Sequence, residues 1–234
     1  MAICILDNDR LEGPLAARWH SYGAMTARLL REAGWAGGIE VFAACEGEYP
    51  PEGARFDAVL LTGSRADAFG DAPWVLRLRA HVAQCLAQGQ RLVGICFGHQ
   101  LIAHVLGAPV GRAPQGWGQG RMVYDWLGPP GVADAQGRLA LLASHQDQVL
   151  ALPPGARLLA TSAHCPVAAY AVGAQVLAVQ PHPEFDADYA AALIEARRAR
   201  FAPDAVAERL ESLRAGHDGL AFGRLIVRFV EQGL

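Results

Sequence analysis

Residues 92 to 107 read LVGICFGHQLIAHVLG, and one cysteine, Cys96, stands between Gly94 and Gly98. Glycine has no Cβ, so a strand can turn sharply into a helix at this point and the two elements can approach closely. The nucleophile elbow of hydrolases uses the same pattern to raise a reactive side chain to the carboxyl end of a sheet. A thiol at the first turn of the following helix also feels the positive end of the helix dipole, which favours the reactive thiolate. Such a nucleophile needs a base, and the base needs an orienting group. The stretch QPHPEF, residues 180 to 185, supplies both. Side chains two apart in an extended segment share a side, so His182 and Glu184 can hydrogen-bond to each other. Pro181 and Pro183 hold that segment extended.

The other chemistry-bearing residues read more plainly. Cys4, Cys45, Cys85 and Cys165 lack the glycine-flanked setting and read as small hydrophobes. Five scattered cysteines with no CxxC pair give neither a disulfide framework nor a structural zinc site. His99 and His104 are five apart on one expected helix and face different ways, so no metal site is expected, and no cofactor is called for. GWGQG (116 to 120) has no GK[ST] ending and reads as a loop near the pocket rather than a phosphate cradle. EARRAR (195 to 200) reads as a solvated basic face.

The elements that must carry these residues alternate through the first half. AICIL (2 to 6), IEVFAA (39 to 44), FDAVLLTG (56 to 63) and RLVGI (91 to 95) have the apolar character of strands covered on both faces. Between them, residues 22 to 34 and 72 to 89 carry apolar residues at helical spacing and end at glycine. Strand, helix, strand in alternation implies right-handed crossovers and a parallel sheet, whose carboxyl edge is where ligands bind. In the second half GRMVYDWLG, RLALLASHQDQV, ARLLATS, CPVAAYAVG and QVLAVQPHPEF are short and turn-bounded, as antiparallel additions to the same sheet should be. Helices are expected over 186 to 201 and 207 to 232, the latter broken at AGHDG. The reading is one α/β domain over 1–234, with 204–234 a C-terminal helical extension packed on it.

Bulk properties narrow the function classes. A net charge of -3 gives no electrostatic footprint for nucleic acid or an anionic membrane, so the expected substrate is a small molecule. There is no stretch of membrane-spanning length and no signal-peptide start in MAICILDNDR, which leads to a cytoplasmic expectation. Lysine is absent, which excludes lysine Schiff-base chemistry.

GICFGHQ resembles the nucleophile motif of class I glutamine amidotransferases, and QPHPEF resembles their His-x-Glu motif in the same order. LLTGS (60 to 64) is similar to that family's oxyanion loop, and ASHQDQV (143 to 149) to its substrate-binding segment. The resemblance runs to about residue 190, and CFGHQLIAHVLGAPVGRAPQGWGQG looks most like the stand-alone, GMP-synthase-like branch. It implies a flavodoxin-like three-layer sandwich with a mostly parallel sheet. It also implies that Cys96 forms a γ-glutamyl thioester, that His182 serves as acid and base, and that Glu184 orients His182. Backbone N–H groups of Gly63 and Phe97 would hold the oxyanion. Gln100, Ser144 and His145 would contact the substrate. Many members carry Gly-Gly-Pro at the oxyanion loop, whereas this chain has Thr62, Gly63, Ser64 and Arg65, which puts Ser64 and Arg65 at the pocket edge. Pro181 stands where a bulky aromatic is common.

Three functions follow. The first is release of ammonia from glutamine, with a synthetase partner subunit as acceptor. The second is a stand-alone γ-glutamyl peptidase or hydrolase, modestly favoured if Arg65 receives a substrate carboxylate. The third is a redox or binding protein whose Cys96 is oxidised rather than acylated, against which an oriented His182 and Glu184 argue.

Overall fold

The computed structural model describes residues 1–233. Four strands alternate with helices as the apolar runs require: β1 (Ala2–Leu6), β2 (Gly38–Phe42), β3 (Ala58–Leu61) and β4 (Arg91–Ile95). Helices α1 (Gly13–Trp19) and α2 (Tyr22–Glu32) follow β1, α3 (Pro73–Ala87) precedes β4, and α4 (Phe97–Val105) follows it. The remaining strands are β5 (Val110–Arg112), β6 (Gly118–Trp126), β7 (Arg138–His145), β8 (Asp147–Val149), β9 (Arg157–Thr161), β10 (Ala169–Val172) and β11 (Val176–Val179). The chain ends with α5 (Ala187–Ala196), α6 (Pro203–Ser212) and α7 (Gly219–Gln232).

The main sheet runs β2-β1-β3-β4-β11-β10-β9-β6-β7. Its first five strands are parallel, and the later pairings are antiparallel. Alternation along β1 sends Ile3 and Ile5 into the apolar layer shared with Phe222, Leu225 and Phe229 of α7. Cys4 and Leu6 enter the opposite layer with Val75, Leu78 and Leu101 of α3 and α4. Helices thus cover both faces of the sheet, the arrangement that a parallel core demands.

Three elements differ from the sequence expectation, the first being β11, grouped with the antiparallel additions but parallel to its neighbour β4. RLALLASHQDQV is not one strand of the main sheet: the chain turns after His145, and β8 pairs instead with β5 in a separate two-stranded ribbon. Arg112 and Asp147, opposite each other in that ribbon, form an ion pair at 2.6 Å. Helix α1, with no long apolar periodicity, was not anticipated; Pro14 in its first turn starts it. The break before α7 has a physical cause, because Asp218 accepts from the Ala140 N–H at 2.8 Å and donates its own N–H to the Ala140 carbonyl at 2.7 Å. This pins the start of α7 to β7. No described helix is long and apolar enough to cross a membrane.

Candidate active site

The turn from β4 into α4 places Cys96 at φ 51°, ψ -100°, and only His20 shares a positive φ among the described non-glycine residues. Such a conformation costs on the order of 1–3 kcal/mol and persists only where the surroundings enforce it. The enforcement is visible here. A Cβ on Gly94 would lie 2.7 Å from the Gly98 carbonyl, and one on Gly98 would run into the Leu61 carbonyl of β3. The Cys96 N–H donates to Val179 at 2.9 Å, and its carbonyl accepts from Gln100 N–H at 3.0 Å. The thiol is therefore presented at the carboxyl edge of the parallel strands, almost fully buried.

His182 arrives just beyond β11, the strand beside β4. Its N–H donates to the Leu142 carbonyl of β7 at 2.7 Å, which ties the proline-rich segment to the antiparallel side. Its ring stacks on Phe185 with centroids 3.8 Å apart, and Nδ1 lies 2.7 Å from Glu184 Oε1. Both side chains are buried. Burial alone would pull the imidazole below its ordinary value; Glu184, then Cys96, outweigh burial and hold His182 above it. A Cβ on Gly63 would lie 2.8 Å from His182 Cε1 and 3.7 Å from Cys96 Cβ, so this loop abuts both groups. The Gly63 and Phe97 N–H groups donate to no other described residue.

Three consecutive residues after β1, absent from the sequence reading, hold that loop. Asn8 donates its side-chain amide to the Thr62 carbonyl at 3.0 Å, and Thr62 donates its hydroxyl to Asp7 at 3.3 Å. Asp9 accepts from both the N–H and the guanidinium of Arg65. Gln180 was also missed. It accepts from Gln100 at 3.0 Å and donates to Cys96 Sγ at 3.6 Å, so both faces of its amide are used inside the site. The run DND after an apolar strand was the available signal for the first group; Phe185 and Gln180 carried none.

Cys96 opens onto a cavity of about 280 Å³ lined by Gln100, Ser64, Arg65, Ser144 and His145 among others. Gln100 is anchored to the Asp147 carbonyl at 2.8 Å. Ser144 accepts a hydrogen bond from Arg197. His145 is buried with neither ring nitrogen bonded to a described residue. Burial, followed by the neighbouring His182, pushes it down to about 3, so its ring is neutral near neutral pH. Arg65 lines the cavity, with its guanidinium held by Asp9 and Glu12. EARRAR requires a correction. Helix α5 stops at Ala196, the chain tightens into a 3-10 turn over Arg198–Arg200, and Arg197 and Arg200 line the cavity. Among the described residues no cluster of side chains has the make-up of a metal site.

The profile of the family described as glutamine amidotransferase class-I matches residues 51–196. The chain belongs to that family. Gamma-glutamyl peptidase 3 of Arabidopsis thaliana is 34% identical over 156 residues, covering 63% of each chain. This chain therefore spans just under two thirds of that curated relative. A GMP synthase [glutamine-hydrolyzing] of Aeropyrum pernix is 33% identical over 174 residues, which cover 70% of this chain and 31% of that one. The crystal structure of a glutamine amidotransferase from Thermotoga maritima has the same fold, with a TM-score of 0.77 at 22% identity over 99% of this chain and 98% of the other. Within this member of the family, the matched segment runs from β3 through α5. It contains Cys96, His182 and Glu184, and it leaves out both the Asp7–Asp9 run and the arginines after Ala196.

Proposed function

We propose that this protein is a cysteine hydrolase that cleaves γ-glutamyl amides, with γ-glutamyl peptides or conjugates as its substrates. The observation that carries the reading is the buried His182, with the Glu184 carboxylate 2.7 Å from its Nδ1 and one loop, at Gly63, abutting both His182 and Cys96. The sulfur of Cys96, its proton passed to His182, attacks the γ-carbonyl carbon and forms a C–S bond. The oxyanion is held by the Gly63 and Phe97 N–H groups; one such donor is typically worth roughly 3–4 kcal/mol of barrier. Collapse breaks the C–N bond, and His182 gives its proton to the departing amine. Water then attacks the thioester while His182 takes a proton from it, the C–S bond breaks, and glutamate leaves. Glu184 holds the imidazole in one orientation and favours its charged form.

The likeness to gamma-glutamyl peptidase 3 supports an amino acid or peptide as the leaving group. A second reading, ammonia release from glutamine for a synthetase partner, draws on the likeness to GMP synthase, a protein of which this chain spans less than a third. Small-molecule substrates and a cytoplasmic setting fit either reading. The deciding experiment compares amine release from γ-glutamyl dipeptides with ammonia release from glutamine, using Cys96→Ala as the blank. A clear preference for dipeptides supports the first reading; ammonia release alone overturns it.

A further inference from the structure

The cavity beside Cys96 is charged, and its charges are unequally compensated. Arg65 is gripped by Asp9 and Glu12, and Arg112 by Asp147 and Asp67. Arg197 and Arg200 line the same cavity and pair with no carboxylate among the described residues. Arg197 is nonetheless held in place. It donates to Ser144 Oγ, and its guanidinium lies over the Trp117 ring at 5.2 Å, while Trp117 meets Phe201 edge-on at 6.0 Å. Arg209 sits over the far ring of that stack, 4.0 Å from the Phe201 centroid. A guanidinium carries five donors in a rigid fork matched to carboxylate geometry, and only one donor of Arg197 is used. A preorganised cation with donors to spare is a receptor for an anion.

Building on the proposed γ-glutamyl hydrolysis, we infer that Arg197, supported by Arg200, selects substrates whose leaving group bears a carboxylate. The preferred substrate is then a γ-glutamyl amino acid or peptide with a free C-terminus rather than glutamine, whose leaving group is uncharged ammonia. Arg197 and Arg200 lie just beyond the segment matched by the family profile, so selectivity here rests on residues outside that segment.

The test uses γ-glutamylglycine and γ-glutamylglycinamide, which share the glutamyl end and differ only in the leaving-group carboxylate. Wild type is expected to favour the carboxylate in kcat/KM by about tenfold or more, the size of one charge-assisted hydrogen bond. Arg197→Ala is expected to bring that ratio close to one, and Arg197→Lys to retain part of it. Because a ratio is read, partial misfolding of a variant cancels. A wild-type ratio near one, or an Arg197→Ala variant that loses both substrates equally, overturns the inference, the latter by assigning the guanidinium to the glutamyl end. Hydrolysis of glutamine but of neither γ-glutamyl compound refutes the proposed function instead. In that event calorimetric titration of Cys96→Ala with the two compounds still decides: tighter binding of the carboxylate form, weakened by adding Arg197→Ala, supports the inference, and equal affinities overturn it.

Discussion

Two walls meet at the cavity, and they are made differently. The β4–α4 wall is set by backbone: glycines at 94 and 98 let strand and helix touch, and the cysteine between them is strained and buried. The opposite wall, from Trp117 and the turn after α5, is made of long side chains that are partly or fully exposed. Chemistry needs atoms held within tenths of an ångström, which packed backbone provides. Recognition tolerates looser placement, because a charge acts over a longer range. Changes in the first wall should therefore abolish turnover of every substrate, whereas changes in the second should re-rank substrates.

The sharpest way to break this contrast is Cys96→Ala, expected to lower kcat/KM by roughly 10⁴-fold or more on every γ-glutamyl substrate. Substantial activity left in that variant would remove the nucleophile from the β4–α4 wall. Next, Glu184→Gln is expected to cost on the order of 10²–10⁴-fold. It should also move the alkaline limb of the rate profile to lower pH: Glu184 holds His182 above its ordinary value, and without the carboxylate the proton needed by the leaving amine is lost earlier as pH rises. An alkaline limb that stays in place would mean that the carboxylate does not tune His182.

Gly98→Ala tests whether backbone contact really shapes the first wall. The added Cβ meets the Leu61 carbonyl, which cannot swing aside, so a loss of roughly 1–3 kcal/mol in urea unfolding is expected. An unchanged midpoint would show that the strand-to-helix turn has slack. The smallest effect is on acid stability. His99 is buried on α4, and burial pushes it down to about 3, below its ordinary 6.5. The unfolded chain binds that proton below about 6.5 and the folded chain does not until about 3, so stability is fully present above that window and falls as pH drops through it. Replacing His99 with Phe is expected to flatten the decline in melting temperature between pH 7 and pH 4. A decline as steep as wild type would assign the acid lability to other groups, His145 first.

Much of the surroundings of Cys96 could be read in advance because the signals are local. Gly-Ile-Cys-Phe-Gly states the turn through residues four apart, and His182 and Glu184 meet because extended backbone repeats every two residues. Four of the five parallel strands were legible for the same reason, since each apolar run is a strand of its own, whereas β11 was grouped with the antiparallel additions. The short strand β8 was not legible, because its partner is decided by Arg112, far back in the chain. The settings of Arg65 and Arg197 were hidden for a related reason. Both are arginines in plain view, yet one is neutralised by Asp9 across the sheet edge and the other is seated on Trp117.

The sequence by itself determined the strained turn, the thiol on it, the paired imidazole and carboxylate, and the alternating elements that build a parallel sheet, all through spacing within one element. Only the tertiary structure decided that His182 and Cys96 both abut the Gly63 loop, that the Asp7–Asp9 run steadies that loop, and which guanidiniums keep an uncancelled charge. Those are pairings between residues tens of positions apart, and whether a charge is cancelled depends on the neighbour that folding brings to it rather than on the neighbour in the chain.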